Sequence, residues 1–206
     1  MTRTAARRLR WADGTGTNVT TARRSDLQQQ KNTRWVFAYG SLIWRPGFEF
    51  LHQAPARLIG AHRRLCVLSF RHRGTESRPG LVFGLVHGGS CQGVAFEVSE
   101  ARWDETAAYL REREMDRGVY REVVRPVRRT DGVVNPALAF VVDEHHPQYA
   151  GRLSVDEQVR LVRGAVGESG ANPDYVRETA RHLALIGIRD PQVEALVAAL
   201  DAADGQ

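Results

Sequence analysis

Cysteine is scarce in this sequence, with only Cys66 and Cys91 among 206 residues. Two cysteines are too few for a disulfide framework, and both lie in apolar stretches. We therefore expect two buried, reduced thiols in a cytoplasmic protein. Cys91 follows His87 closely, but the intervening Gly-Gly-Ser is typical of a turn and no cysteine-hydrolase signature surrounds it, which favours a structural thiol over a nucleophile.

Long hydrophobic runs are missing as well. No window approaches the roughly 18 to 20 apolar residues that a membrane span requires, and the N-terminus has no apolar signal core. We therefore expect no membrane partner. With 42% hydrophobic and 26% charged residues, the composition is that of one globular domain with a sizeable core.

Lysine is all but absent, since Lys31 is the only one. Residues 1–34 hold seven arginines and Lys31 against two aspartates, a net charge of +6, while the remaining residues carry −1. The basicity therefore belongs to an N-terminal segment without sustained periodicity. We expect a disordered extension over 1–34 and a single domain over 35–206. A basic arm for nucleic acid or an anionic surface, or a transit peptide, is the alternative; a solvated extension without a nucleic-acid partner is favoured.

Hydrophobic patterning places strands in the first two-thirds of the domain and helices in the last third. One helix, introduced by Ser99, is inserted between strands. This arrangement predicts an α+β fold rather than alternating βαβ units. The expected strands are 35–39, 57–70 with a kink near Gly60, 81–86 joined by a hairpin to 92–98, and 119–129 joined through Asp131-Gly132 to 133–142. The expected C-terminal helices are 154–167, 173–185 and 191–202, the last behind an Asp190 cap.

The first strand ends abruptly at Gly40-Ser41. A buried strand that stops in small residues leaves backbone N–H groups without partners, in a turn that no bulky side chain blocks. Such a turn can bind a carboxylate or a developing oxyanion. From the local pattern alone, an ordinary strand-to-loop corner is the simpler interpretation.

Glu114 is the residue that fits its pattern least. It continues the apolar helical stripe of Trp103, Ala107 and Leu110, just before Gly118 ends the pattern. A carboxylate on an apolar face is partly desolvated, which raises its pKa and suits general acid–base catalysis near neutral pH. The alternative is a frayed helix end in which Glu114 pairs with Arg111 or Arg117.

Two charged loops offer weaker signals. Residues 143–146 (Asp-Glu-His-His) contain metal-ligating types, but adjacent residues point in different directions and no spaced ligand set accompanies them, so a solvated loop is favoured and no metal is expected. Arg71, Arg73 and Arg78 share a loop that offers positive charge to an anionic substrate. Composition alone favours a solvated loop there too.

Taken in order, several segments resemble the motifs of the ChaC-like, glutathione-specific γ-glutamylcyclotransferase family. Residues 35–44 contain the Tyr-Gly-Ser-Leu sequence of the family's substrate loop, and Arg113-Glu114-Met115 resembles the segment with its catalytic glutamate. The similarity covers about residues 35–190. Its further matches are 73–75, 78–85, 93–96, Gly118 with Tyr120, 146–151 and 170–175.

The resemblance implies a small mixed β-barrel flanked by helices, with the active site at the barrel's mouth. It implies cofactor-free conversion of glutathione to 5-oxoproline and cysteinyl-glycine, with Glu114 as general base and acid. Substrate contacts are expected from Tyr39, from Gly40, Ser41 and Leu42 in the turn, and from the Tyr149 hydroxyl.

Two other functions stay open. A cyclotransferase of the same fold could act on other γ-glutamyl amino acids or amines, and a non-catalytic module could bind a γ-glutamyl ligand. Two departures from the family pattern also stand out. Glu76 occupies a position where proline is expected, and residues 1–34 match none of its motifs.

Overall fold

The computed structural model describes residues 33–115 and 117–205. Almost all of the predicted extension over 1–34 therefore lies outside the described residues, and its disorder stays a prediction. Residues from Arg34 onward group into one compact unit.

Five strands form a closed barrel in the spatial order β1-β3-β2-β4-β5. Strand β1 runs parallel to β5, with Trp35 opposite Ala137, whereas β2 and β3 are antiparallel, as are β4 and β5. The expected mixed barrel is therefore confirmed. The strands are β1 Thr33–Ala38, β2 His52–Ser69, β3 Gly80–Ser99, β4 Tyr120–Arg129 and β5 Val134–Val142.

The expected hairpin at residues 87–90 is wrong, because β3 is one long strand. Strand β2 pairs with both of its halves: Arg63 lies opposite Leu85, and Arg57 lies opposite Gln92. The register shifts between Ile59 and Ala61, opposite Gly88-Gly89, which have φ of 91° and 70°. Glycines tolerate such positive φ values in bulges as well as in turns. The Gly-Gly sequence thus marks a bulge in β3, and the kink predicted near Gly60 lies opposite that bulge on β2.

Alternation along the strands separates two apolar layers. Trp35, Phe37 and Tyr39 belong to a cluster built from residues of the barrel strands and the Tyr39 corner, which fills the barrel. Val36 and Ala38 belong to a second cluster that also contains helix residues such as Leu110 and Val176. Strand β1 is therefore buried on both faces, as its unbroken apolar sequence predicts.

The helices cover this outer layer. They are α1 Glu100–Met115, α2 Val155–Val162, α3 Asn172–Leu185 and α4 Pro191–Asp204. The predicted Asp190 cap of α4 is confirmed, since its carboxylate accepts from the N–H groups of Gln192 and Val193. Helix α2 is shorter than expected because the chain turns at Gly164 into the small strand pair β6 Val166–Gly167 and β7 Gly170–Ala171. None of the described helices is long and apolar enough to cross a membrane.

Candidate active site

A cavity of about 370 Å³ lies beside the end of β1. Its wall combines the turn after β1, the loop after β2, strands β3 and β5, and the ends of α1 and α3. Five of the six residues expected at the site line this cavity: Tyr39, Gly40, Ser41, Leu42 and Glu114.

The turn after β1 presents free backbone donors. Ser41–Ile43 form one turn of 3₁₀ helix, closed by the Ile43 N–H donating to the Gly40 carbonyl at 2.9 Å. In the described part of the chain, the N–H groups of Gly40, Ser41 and Leu42 donate to no other backbone group. A Cβ added at Gly40 would lie 3.4 Å from the Tyr175 hydroxyl. The small residues therefore leave both the donors and the space beside them open.

Glu114 is the second-last residue of α1, and its side chain is only 17% exposed. Burial raises the pKa of its carboxyl group, and the neighbouring Arg113 guanidinium partly opposes that rise. The partial negative charge at the helix C-terminus also disfavours the ionised carboxylate, and so acts in the same sense as burial. Across residues 33–115 and 117–205, the carboxylate accepts no hydrogen bond, and its one ion pair is with Arg113 at 3.5 Å. It is thus available to a ligand.

The alternative pairings weighed for Glu114 are not formed. Arg111 pairs with Glu122, and Arg117 pairs with Glu76. The helix continues through Met115, so Glu114 keeps its place at the end of the apolar stripe.

Arg113 joins the glutamate to the turn. One terminal nitrogen of its guanidinium donates to the Ser41 hydroxyl at 3.0 Å, and the other donates to the Arg45 carbonyl at 2.7 Å and the Tyr109 hydroxyl at 2.8 Å. Its Nε faces Glu114. A planar guanidinium with donors on several edges can hold such divergent partners at once.

Two tyrosines complete the wall, and neither was singled out as a site residue from the sequence. Tyr120 donates its hydroxyl to the Phe83 carbonyl at 3.1 Å, and the Tyr175 hydroxyl accepts from the Phe83 N–H at 3.2 Å. Burial is the main cause that raises the pKa of each phenol, that of Tyr175 to about 12, and the Glu114 charge adds to it. Both phenols are therefore protonated near neutral pH. Their only sequence signal was that they lie in segments that resemble the family's motifs, Gly118 with Tyr120 and residues 170–175.

The three arginines of the loop after β2 make different contacts. Arg71 pairs with Glu168, and Arg78 donates to the Arg163 carbonyl, both away from the cavity. Arg73 instead lines the cavity together with Arg45, and its guanidinium lies 5.1 Å from the centre of the Tyr175 ring. Among the described residues, no carboxylate lies within 4 Å of either cavity arginine. Arg73 is therefore placed where it can meet a ligand in the cavity, whereas Arg71 and Arg78 do not line it.

The structure does not bring Tyr149 into the cavity. The Ala150 N–H donates to the Cys66 carbonyl, and Tyr149 forms an isolated bridge with Val67, which lays this segment along β2. The Tyr149 ring packs against a separate apolar cluster that includes Val86. Long-range backbone pairing, which a local motif does not reveal, decides its position. Tyr149 is therefore left out of the site proposed below.

The remaining titratable candidates lie elsewhere. The Asp143 carboxylate pairs with Arg121, and Glu144 accepts from the His87 N–H. No group of three or more His, Cys, Asp or Glu residues that could hold a metal ion occurs within the part that the structure describes. Cys66 and Cys91 are buried free cysteines, and burial raises the pKa of both thiols, that of Cys66 to about 12.

Comparison with known proteins gives three concordant results. A family model described as ChaC-like protein matches residues 34–203. The chain is 32% identical over 156 residues to the glutathione-specific gamma-glutamylcyclotransferase of Escherichia coli (strain K12), covering 76% of this chain and 68% of the relative. It is 32% identical over 181 residues to glutathione-specific gamma-glutamylcyclotransferase 1 of Danio rerio, covering 85% and 92%.

A solved structure shares the fold. The crystal structure of a gamma-glutamyl cyclotransferase specific to glutathione from yeast aligns with a TM-score of 0.76 and 21% identity, covering 83% of this chain and 96% of that one. At that identity, the likeness concerns the fold alone.

Proposed function

Since the chain belongs to the ChaC-like protein family, we propose that it is a glutathione-specific γ-glutamylcyclotransferase. It releases 5-oxoproline and cysteinyl-glycine from glutathione. The proposal rests on the desolvated Glu114 carboxylate, which accepts no hydrogen bond from the described residues and lines the same cavity as residues 40–42 with their free N–H groups. Relatives whose names specify glutathione support the choice of substrate.

The reaction joins two groups of one molecule. The α-amino nitrogen of the γ-glutamyl residue attacks the γ-carbonyl carbon, the new N–C bond closes a five-membered ring, and the old amide C–N bond breaks. Because nucleophile and electrophile are already linked, the protein accelerates the step mainly by folding the γ-glutamyl group into an attacking geometry. The atoms balance with proton transfers alone, so no water is consumed.

Glu114 performs both proton transfers. An α-ammonium group has an ordinary pKa of about 8, so it must lose a proton before it can attack. The raised pKa of Glu114 brings base and ammonium closer in acidity, which favours the transfer. The same carboxyl group then returns the proton to the leaving cysteinyl nitrogen. The ring nitrogen gives up its second proton to water as it becomes an amide, and the released amine takes one up to become an ammonium group. One carboxylate acts first as base and then as acid.

The turn provides the electrostatic part of the site. Backbone N–H groups at Gly40, Ser41 and Leu42 stabilise the negative charge that develops on the γ-carbonyl oxygen, or hold the α-carboxylate. They are preorganised by the 3₁₀ turn and by Arg113, so little rearrangement accompanies the reaction.

Two arginines give the site a preference for a long, doubly anionic substrate. Trp44, Arg45, Arg73 and Tyr175 line both the cavity and a neighbouring groove of about 410 Å³, whose wall also carries Asp174 and Glu178. The far end of glutathione is a glycine carboxylate. A guanidinium without a protein carboxylate partner is suited to bind such a group. We place the reaction in the cytoplasm, where a thiol peptide stays reduced.

The test is product release from reduced glutathione, followed by separate measurement of 5-oxoproline and cysteinyl-glycine in equal amounts. γ-Glutamyl-alanine and a γ-glutamylamine are assayed in parallel. Turnover of glutathione above the other two supports the proposal. Preference for another γ-glutamyl compound keeps the chemistry and replaces the substrate, whereas tight binding of glutathione without turnover identifies a binding module.

A further inference from the structure

Arg63 is a buried arginine on β2 that does not touch the catalytic cavity. Its side chain is 2% exposed and makes three polar contacts. The Nε donates to the Tyr39 carbonyl at 2.6 Å, one terminal nitrogen donates to the Gln92 carbonyl at 2.6 Å, and the other pairs with Asp190. A buried cation is tolerated only when its donors are satisfied in this way.

The contact with Tyr39 bears on the direction of the next N–H group. No cis peptide bond occurs in the described backbone, so the peptide between Tyr39 and Gly40 is trans. In a trans peptide, the carbonyl and the following N–H point in opposite directions. The Tyr39 carbonyl points to Arg63, and therefore the Gly40 N–H points away from Arg63.

Arg63 lines a second cavity, formed with Ser154 and Pro191, whereas Gly40 lines the catalytic one. Because Gly40 itself lines the catalytic cavity, its N–H, directed away from Arg63, is placed to face that cavity. It also donates to no other backbone group of the described chain. A positive charge on the carbonyl side polarises the peptide and strengthens its N–H as a donor.

We propose that Arg63 is a positioning residue that holds the Tyr39–Gly40 peptide with its N–H directed at the γ-carbonyl oxygen of the substrate. The inference rests on the proposed function and adds a residue to it that contacts no substrate. The benefit is largest in the transition state, when that oxygen becomes negative, because a preorganised donor then needs no reorganisation.

A purely structural role is the competing explanation. Asp190 caps α4, so Arg63 also ties that helix to the barrel. If Arg63 acted only through this tie, losing Asp190 and losing Arg63 would have the same consequence. Asp190→Asn separates the two roles, since asparagine caps a helix as well as aspartate does and leaves the bond from Arg63 to Tyr39 in place.

The experiment compares Arg63→Lys, Asp190→Asn and wild type for kcat, KM and melting temperature with glutathione. Arg129→Lys is the matched control, because Arg129 is 13% exposed and pairs with Asp131 on the barrel wall, away from the turn. Lysine cannot reproduce the fork of donors that spans three partners. We expect Arg63→Lys to lower kcat about tenfold to a hundredfold with little change in KM. Asp190→Asn and Arg129→Lys should keep kcat while losing some thermal stability.

Three results would overturn the inference. The first is a wild-type kcat, per folded enzyme, in Arg63→Lys. The second is a loss of kcat in Asp190→Asn equal to that in Arg63→Lys. If Arg63→Lys does not fold, Asp190→Asn alone is measured: a loss of kcat overturns the inference, and a retained kcat supports it. The third is the absence of glutathione turnover by the wild-type protein, which rejects the proposed function and this inference together. An active wild type beside an unaffected Arg63→Lys rejects the inference alone.

Discussion

The Nε of Arg113 lies 3.5 Å from Oε1 of Glu114, the next residue in the helix. The other two nitrogens of the same guanidinium hold Ser41 and the Arg45 carbonyl. The group that moderates the pKa of the proposed base therefore also fixes the turn that carries the proposed oxyanion donors. The proposed acid–base chemistry and the proposed electrostatic stabilisation would thus both depend on the Arg113 side chain.

Glu114→Gln should abolish most turnover. Glutamine keeps the shape of the side chain but cannot take the ammonium proton, so we expect kcat to fall about a hundredfold to ten-thousandfold while KM changes little. Glu112→Gln on the exposed side of the same helix is the control. Steady-state kinetics with reduced glutathione measure both, and a Glu114→Gln kcat near that of wild type would remove Glu114 from the mechanism.

The pH dependence should reveal the raised pKa of Glu114. Activity requires the ionised carboxylate, so kcat/KM should fall as pH decreases through that pKa, above the value of about 4.3 for a free glutamate. Arg113 lowers this pKa, so Arg113→Gln should move the acid limb to higher pH. Profiles for wild type, Arg113→Gln and a control, Arg117→Gln, test this. An acid limb that stays in place in Arg113→Gln contradicts the coupling.

Tyr120 and Tyr175, two of the tyrosines that line the cavity, should differ in importance. The Tyr120 hydroxyl donates its hydrogen bond to the Phe83 carbonyl. The Tyr175 hydroxyl accepts from the Phe83 N–H and donates to no residue in the described chain. Of these two tyrosines, Tyr175 is therefore the one with a donor free for substrate. A hydrogen bond to a charged group contributes about 1.5 to 3 kcal/mol, so Tyr175→Phe should lower kcat/KM at least about tenfold, and Tyr120→Phe less. Equal losses would refute this assignment.

Arg73 should recognise the far end of the substrate. We expect Arg73→Gln to raise KM for glutathione about tenfold, and to have little effect with γ-glutamyl-cysteine, whose chain ends one residue earlier. Arg71→Gln, on the same loop and paired with Glu168, serves as the control. Equal KM changes for the two substrates would show that Arg73 does not contact the glycine carboxylate.

The sequence by itself determined the features that depend on neighbouring residues. The strand that ends at Gly40-Ser41, the helix whose apolar stripe finishes at Glu114 and the Asp190 cap all follow from short-range spacing, and the structure places them as expected. The ordered motifs also identified the family. Glu114 could be identified from the sequence because a carboxylate at an apolar position breaks the helical pattern, and that pattern depends on one helix alone.

The tertiary structure alone decided which distant side chains meet. Arg73 and Tyr175 reach the cavity, and Tyr149 does not, because backbone pairing along β2 and the docking of α3 on β3 set their positions. The same long-range pairing made residues 87–90 a bulge instead of a hairpin. Arg63 was unremarkable in the sequence, since its importance arises only where three separate segments converge on one guanidinium.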